Sequence, residues 1–122
     1  MVYPRRNISN SLDEVELLFE AIEYNNIEKV KQLLDSGLSV NVKDNDDMTP
    51  LHVATYKGYT DIVELLIERH ADVNTQDYKG WTPLHYAAYN AKSNCIKILL
   101  KAGADNKIKN NIGITPLHWG CF

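Results

Sequence analysis

Apolar residues recur along this chain with helical spacing, in short paired segments set off by glycine, proline and polar residues. A first segment from Pro50 to about Lys57 carries Leu51, Ala54 and Val53 on one face. A second segment carries Ile62, Val63, Leu65, Leu66 and Ile67, a wider apolar face. One unit later, Ile96, Ile98, Leu99 and Leu100 repeat that second pattern. The punctuation predicts helices. Thr49, Thr82 and Thr115 each precede a proline; threonine is a good N-cap, and proline suits the first helical position because its missing N–H would be unpaired anyway. Thr60 and Ser93 are expected to cap the second helices, with Asp61 near the positive end of the first of these. Gly58 permits a tight turn between the two segments, and Gly37 and Gly103 sit where a second helix must stop in a left-handed residue. His70 takes that place in the middle unit, at some expected loss of stability. Ser11 with Glu14 reads as a capping box that opens the chain's first helix.

These segments form a repeat. Thr-Pro-Leu-His occurs at 49–52, 82–85 and 115–118, each start 33 residues after the last. Residues 45–77 and 78–110 share nine identities in register without a gap, among them Ala54 with Ala87, Tyr56 with Tyr89, and Ala71-Asp72 with Ala104-Asp105. Such a match does not arise readily by chance. The frame extends back over 12–44, where Leu18 answers Leu51, Ala21 answers Ala54, and Val40-Asn41 answers Val73-Asn74. The tetrapeptide is replaced there by Glu16-Leu17-Leu18-Phe19, as expected of a terminal unit with a neighbour on one side only. The organisation read from this register is an N-terminal segment 1–11, a divergent first repeat 12–44, full repeats 45–77 and 78–110, and a partial fourth repeat 111–122. Links lie at 41–48, 74–81 and 107–114, with Gly80 and Gly113 at turns and Asp47 in the same place in the first link.

A proline-led short helix, a turn, a second helix and a turn-rich link at a period of 33 residues resembles the ankyrin-repeat family over about 12–122. The resemblance implies an all-α solenoid of stacked antiparallel helix pairs with hairpin-like links. It implies a non-enzymatic scaffold that binds another protein through the link tips and the concave face of the first helices. It also implies that the tetrapeptide histidine is a structural hydrogen-bonder between turns. The fourth unit ends inside its first helix, so Ile96, Leu99 and Leu100 are expected to lack their cover. Two readings stay open: a piece of a longer array, or else a natural terminus or an end covered by self-association.

Composition narrows the class further. The 122 residues are 44% hydrophobic and 24% charged, with net charge −3. This fits one soluble domain and opposes general affinity for nucleic acid, which needs a clustered basic surface. No apolar run approaches the roughly 20 residues of a membrane span, and residues 1–10 lack the apolar core of a secretory signal. The expected compartment is cytoplasmic or nuclear, with Cys95 and Cys121 as free thiols. No cofactor is implied.

Candidate chemistry is sparse. His52, His85 and His118 recur at one repeat position, but stacked helices lie roughly 8–10 Å apart, and zinc needs nitrogens at about 2.0–2.1 Å. His118 and Cys121 supply two ligands without partners, and Cys95 falls on a buried helical position as a small core residue. The run Asp44-Asn45-Asp46-Asp47 hints at calcium but lacks the glutamate that closes an EF-hand loop, and reads as a solvated acidic tip. No phosphate loop, nucleophile elbow or zinc-protease pair is present.

The aromatic positions carry the functional expectation. Met48, Trp81 and Ile114 share one position just before the threonine, and Tyr56 and Tyr89 share another near the end of the first helix. A soluble solenoid has no folding need for such a row in water, and aromatics dominate interface hot spots. Tyr56 and Tyr89 favour partner contact, whereas Tyr78 and Trp81 fit inter-repeat packing equally well. The expected partner-binding set is Met48, Tyr56, Tyr78, Trp81, Tyr89 and Ile114, rimmed by Asn45, Asp46, Lys57, Lys79 and Asn90. The rival expectation is a structural or self-assembling segment of a longer repeat protein.

Overall fold

The computed structural model describes residues 11–119, with side chains over 14–118. Among the described residues there are six α-helices and no strand. They fall into three pairs: α1 (Ser11–Glu23) with α2 (Ile27–Asp35), α3 (Pro50–Lys57) with α4 (Thr60–Glu68), and α5 (Pro83–Tyr89) with α6 (Ser93–Lys101). A short 3-10 helix, Pro116–Trp119, follows. The turn within each pair is only two or three residues, so partner helices run antiparallel. The first helices α1, α3 and α5 pack in a row, α2, α4 and α6 form a second row, and the 3-10 helix continues the first against α5. This is the all-α helix-pair solenoid expected from the repeat.

The core is the register made solid. Leu18, Leu51 and Leu84 are buried in one column, Ala21, Ala54 and Ala87 in the next, and Leu33, Leu66 and Leu99 in the second row. Alanine in the second of these columns suits close packing of neighbouring helices, because a larger side chain there would force them apart. Leu99 and Cys95 are fully buried, and Ile96 and Leu100 half-buried. The apolar end expected beyond α6 is therefore smaller than the sequence suggests. These residues of α6 pack against α4 and α5.

The first helices start as read from the sequence. Thr49 and Thr82 are N-caps, each accepting from the backbone N–H three residues on, with proline at the first helical position. The second helices do not. Thr60 and Ser93 lie inside their helices, whose N-caps are Tyr59 and Lys92 without a side-chain cap bond. The reason is the tightness of the preceding turn: the Tyr59 and Lys92 N–H groups donate back to Ala54 and Ala87 carbonyls at 3.0 and 2.8 Å, which brings the chain into the helix one residue early. The side chain of Ser11 lies outside the described residues, as does Cys121.

Left-handed backbone also follows the register. Asn25, Gly58 and Ala91 close the first helices, Gly37, His70 and Gly103 close the second, and Asp47, Gly80 and Gly113 turn the links, all at positive φ. The fold needs this conformation at each position, and the non-glycine residues adopt it under strain.

Candidate binding surface

Each link is organised by one side chain. The Asp44 carboxylate accepts from the Asp46 and Met48 N–H groups, Asp77 from Lys79 and Trp81, and the Asn110 amide oxygen from Ile112 and Ile114. These residues are 33 apart and fold each link into a hairpin-like turn. Adjacent turns then join edge to edge, with Tyr78 N–H donating to the Asp46 carbonyl at 3.1 Å and Asn111 N–H to the Lys79 carbonyl at 2.9 Å. Asp44 is thus half-buried and structural, which corrects its reading as part of a solvated acidic tip; Asn45, Asp46 and Asp47 are exposed.

The histidines fix the links to the helices. The His52 Nδ1 accepts from Thr49 N–H at 3.0 Å, so the ring proton sits on Nε2, which donates to the Trp81 carbonyl at 2.8 Å. His85 does the same between Thr82 and the Ile114 carbonyl. Both rings are fully buried, and burial holds their pKa below the ordinary histidine value. The first repeat has Phe19 in this place and lacks the tether.

Aromatic side chains collect where these tethers place them. The Tyr56 and Tyr86 rings meet edge to face at 5.9 Å, Tyr86 meets Trp81 at 4.8 Å, and Trp81 meets Tyr89 at 5.4 Å. This chain of four rings crosses two repeats. Tyr56 and Tyr89 are exposed at its two ends, 49% and 58%, while Trp81 and Tyr86 are half-buried. Beside Tyr56 a groove of about 440 Å³ runs between the repeats, lined by Glu23, Met48, Val53, Tyr56, Lys57 and Tyr86. Lys57 is paired with Glu23 at 2.8 Å across its rim, and that hydrogen bond raises the lysine's pKa.

Of the residues singled out in the sequence, Met48, Tyr56 and Lys57 line the groove, and Trp81 and Tyr89 extend it along the ring chain. Tyr78 and Lys79 form their own pair at the second link tip, with the ammonium 5.6 Å from the ring centroid. Asn90 is the C-cap of α5, its amide donating to the Tyr86 carbonyl at 3.0 Å. Ile114 supplies the carbonyl that His85 binds. Asn45 and Asp46 stand apart at the first link tip.

Tyr86 was missed by sequence reasoning and is the centre of the arrangement. Its hydroxyl donates to the outer oxygen of the Asp77 carboxylate, and burial together with that bond pushes its pKa upward. The available signal was a break in register, tyrosine where the preceding repeat has Val53. Among the described residues no group of three or more histidine, cysteine, aspartate or glutamate side chains is placed to hold a metal ion, and no helix is long and apolar enough to cross a membrane.

A solenoid of helix pairs with tethered, hairpin-like links at a 33-residue period defines a repeat protein. Family models described as ankyrin repeats (3 copies) and ankyrin repeats (many copies) match residues 5–77 and 66–118. The chain belongs to the ankyrin-repeat family. It is 50% identical over 52 residues to serine/threonine-protein kinase 12 of Arabidopsis thaliana, covering 43% of this chain and 11% of the kinase. It is 45% identical over 56 residues to the ankyrin repeat protein FPV223 of fowlpox virus (46% of this chain, 37% of that protein). It is 44% identical over 55 residues to human ankyrin repeat domain-containing protein 49, covering 44% of this chain and 23% of that protein. The matched segments thus span between about a tenth and somewhat over a third of these relatives. Ankyrin repeats are generally protein-interaction modules, and the repeat fold itself is non-catalytic.

Proposed function

We propose that this chain is a protein-binding scaffold that holds its partner along the face made by α3, α5 and the link tips. The four-ring chain Tyr56–Tyr86–Trp81–Tyr89 carries the reading. Its inner members are explained by packing, Trp81 against His85 and Tyr86, and Tyr86 against Asp77. Its outer members are not, because Tyr56 and Tyr89 present large ring area to water. Rigid aromatic side chains lose little entropy on binding and supply interface energy efficiently. Met48 and Val53 extend the apolar strip, and Lys57, Glu23, Lys79 and Asn90 form its polar rim. Tyr78, Asn45, Asp46 and Ile114 complete the set as peripheral contacts. The repeat units serving this role are 12–44, 45–77 and 78–110, with 111–122 as a partial fourth. The rival reading, self-assembly through the end beyond α6, is disfavoured by the full burial of Cys95 and Leu99.

Peptide ligands selected from a displayed random library against the whole chain test this surface. Tyr56→Ala and Tyr89→Ala should each weaken the selected ligands at least about tenfold, the effect of losing one hot-spot residue, with thermal stability nearly unchanged. Ligands indifferent to both substitutions would place recognition elsewhere.

A further inference from the structure

α4 and α6 lie side by side in the second row, so each residue of α4 stands opposite the one 33 later on α6. Between them runs an open groove of about 510 Å³, separate from the aromatic face. Ile67 and Ile98, both half-buried, form its floor. Glu64 and Glu68 line one rim, one helical turn apart, and Lys97 and Lys101 line the other. All four are exposed. Like charges at i and i+4 oppose helix stability, and this sequence sets them so on both helices. Among the described residues no ion pair joins the two rims; Arg69 instead pairs with Asp35 at 2.9 Å. The fold therefore bears two like-charge rows without using either against the other.

We propose that this groove is a docking site for one amphipathic helix of a partner protein, whose two flanks carry opposite charge. Charge complementarity sets the flanks: a basic flank lies on Glu64 and Glu68, an acidic flank on Lys97 and Lys101, and a helix of uniform charge meets repulsion from one rim. The half-buried isoleucines call for an apolar row at i, i+3, i+4 and i+7 between those flanks. A strand does not fit, because strand addition needs an open sheet edge, whereas the groove walls are helices with their backbone bonds made internally. Each wall has nine residues, about 13 Å at 1.5 Å per residue, so the occupant contributes two to three turns. Contact of this size gives a weak, exchangeable complex, and it leaves Tyr56 and Tyr89 free to act on another segment.

The probes are three synthetic helical peptides with the same leucine row, flanked by lysine on one side and glutamate on the other, by lysine on both, or by glutamate on both. Binding to the whole chain is read by fluorescence anisotropy at low salt, with circular dichroism as the folding control. The mixed-flank peptide should bind about tenfold tighter than either uniform peptide. Glu64→Lys/Glu68→Lys should move the preference to the all-glutamate peptide, and Lys97→Glu/Lys101→Glu to the all-lysine peptide. If the charge reversals unfold, the milder Glu64→Gln/Glu68→Gln should bring the mixed-flank and all-glutamate peptides to equal affinity, with the all-lysine peptide still weaker. Tyr56→Ala, which weakens ligands of the aromatic face, should leave the order of preference among these three peptides as in the wild type. Equal binding of all three peptides, no binding, or a wild-type preference lost with Tyr56→Ala overturns the proposal. So does a large stability loss in the glutamine variant without altered peptide preference, which would make the rims an internal ion-pair array.

Discussion

His52 and His85 each join a helix start to the next link, through a ring that uses both nitrogens and has no room for a second proton. Protonation would turn Nδ1 from acceptor to donor against the threonine N–H. Burial independently disfavours the cation, and both pKa values lie below 6.5. Well above pH 6.5 these groups are neutral folded or unfolded and add no pH dependence. As pH falls below about 6.5, the unfolded chain takes up protons that the folded chain refuses, so stability declines until the lower folded values are reached. Urea denaturation between about pH 7.5 and 5 should show a steeper stability loss in the wild type than in His52→Gln/His85→Gln, though the variant starts less stable. An equal slope would show that the rings do not carry this linkage. The histidine role was legible only through the family resemblance that motif and period carry. The Tyr86–Asp77 bond was not, since residues nine apart on a helix and a link meet only once the hairpin-like turn is formed.

At the scale of elements, the links are as much part of the stack as the helices. Beyond the edge-to-edge bonds between turns, the Asn41 amide oxygen accepts from Asp72 N–H at 2.9 Å and Asn74 from Asp105 at 2.8 Å, one repeat onward each time. Lys107 stands in the next asparagine position, so this ladder ends there. Gly80 lies at the tightest point. A Cβ on it would sit 2.8 Å from the Asn111 backbone nitrogen, at a φ of +80°. Gly80→Ala should therefore lose more than the roughly 1 kcal/mol of the left-handed penalty alone. Hydrogen exchange should show the loss first at the Asn111 amide, which binds the Lys79 carbonyl. A Gly80→Ala protein with unchanged stability and Asn111 protection would mean that the third link shifts without strain. Helix extents were readable from proline, glycine and apolar spacing. The entries of α4 and α6 were not, because a tight backbone turn satisfies there what Thr60 and Ser93 were expected to cap. The aspartate switches inside the links were hidden too, since an exposed acidic run and a turn-forming one look alike in sequence.

For the whole molecule the question is whether the second row needs anything beyond α6. Sequence alone left Ile96, Leu99 and Leu100 facing nothing, and self-association would then supply the missing wall. In the folded chain Leu99 and Cys95 have no exposed area, and Ile96 and Leu100 are half-buried. Burial of a leucine is worth roughly 2 kcal/mol, and here it is already made within the chain. The larger exposed apolar groups lie off the second row: Tyr56, Tyr78 and Tyr89 along the first row and its links, Leu17 and Tyr24 at α1, and Ile112 and Leu117 in the last link and the 3-10 helix. Light-scattering molar mass should thus stay at one chain, 13.9 kDa, from micromolar to about millimolar concentration. If a dimer forms instead, Leu100→Glu should abolish it when the end beyond α6 is the interface. Tyr56→Ala should abolish it when the aromatic row binds a second copy, and in that event the partner proposed for that row would be this chain itself.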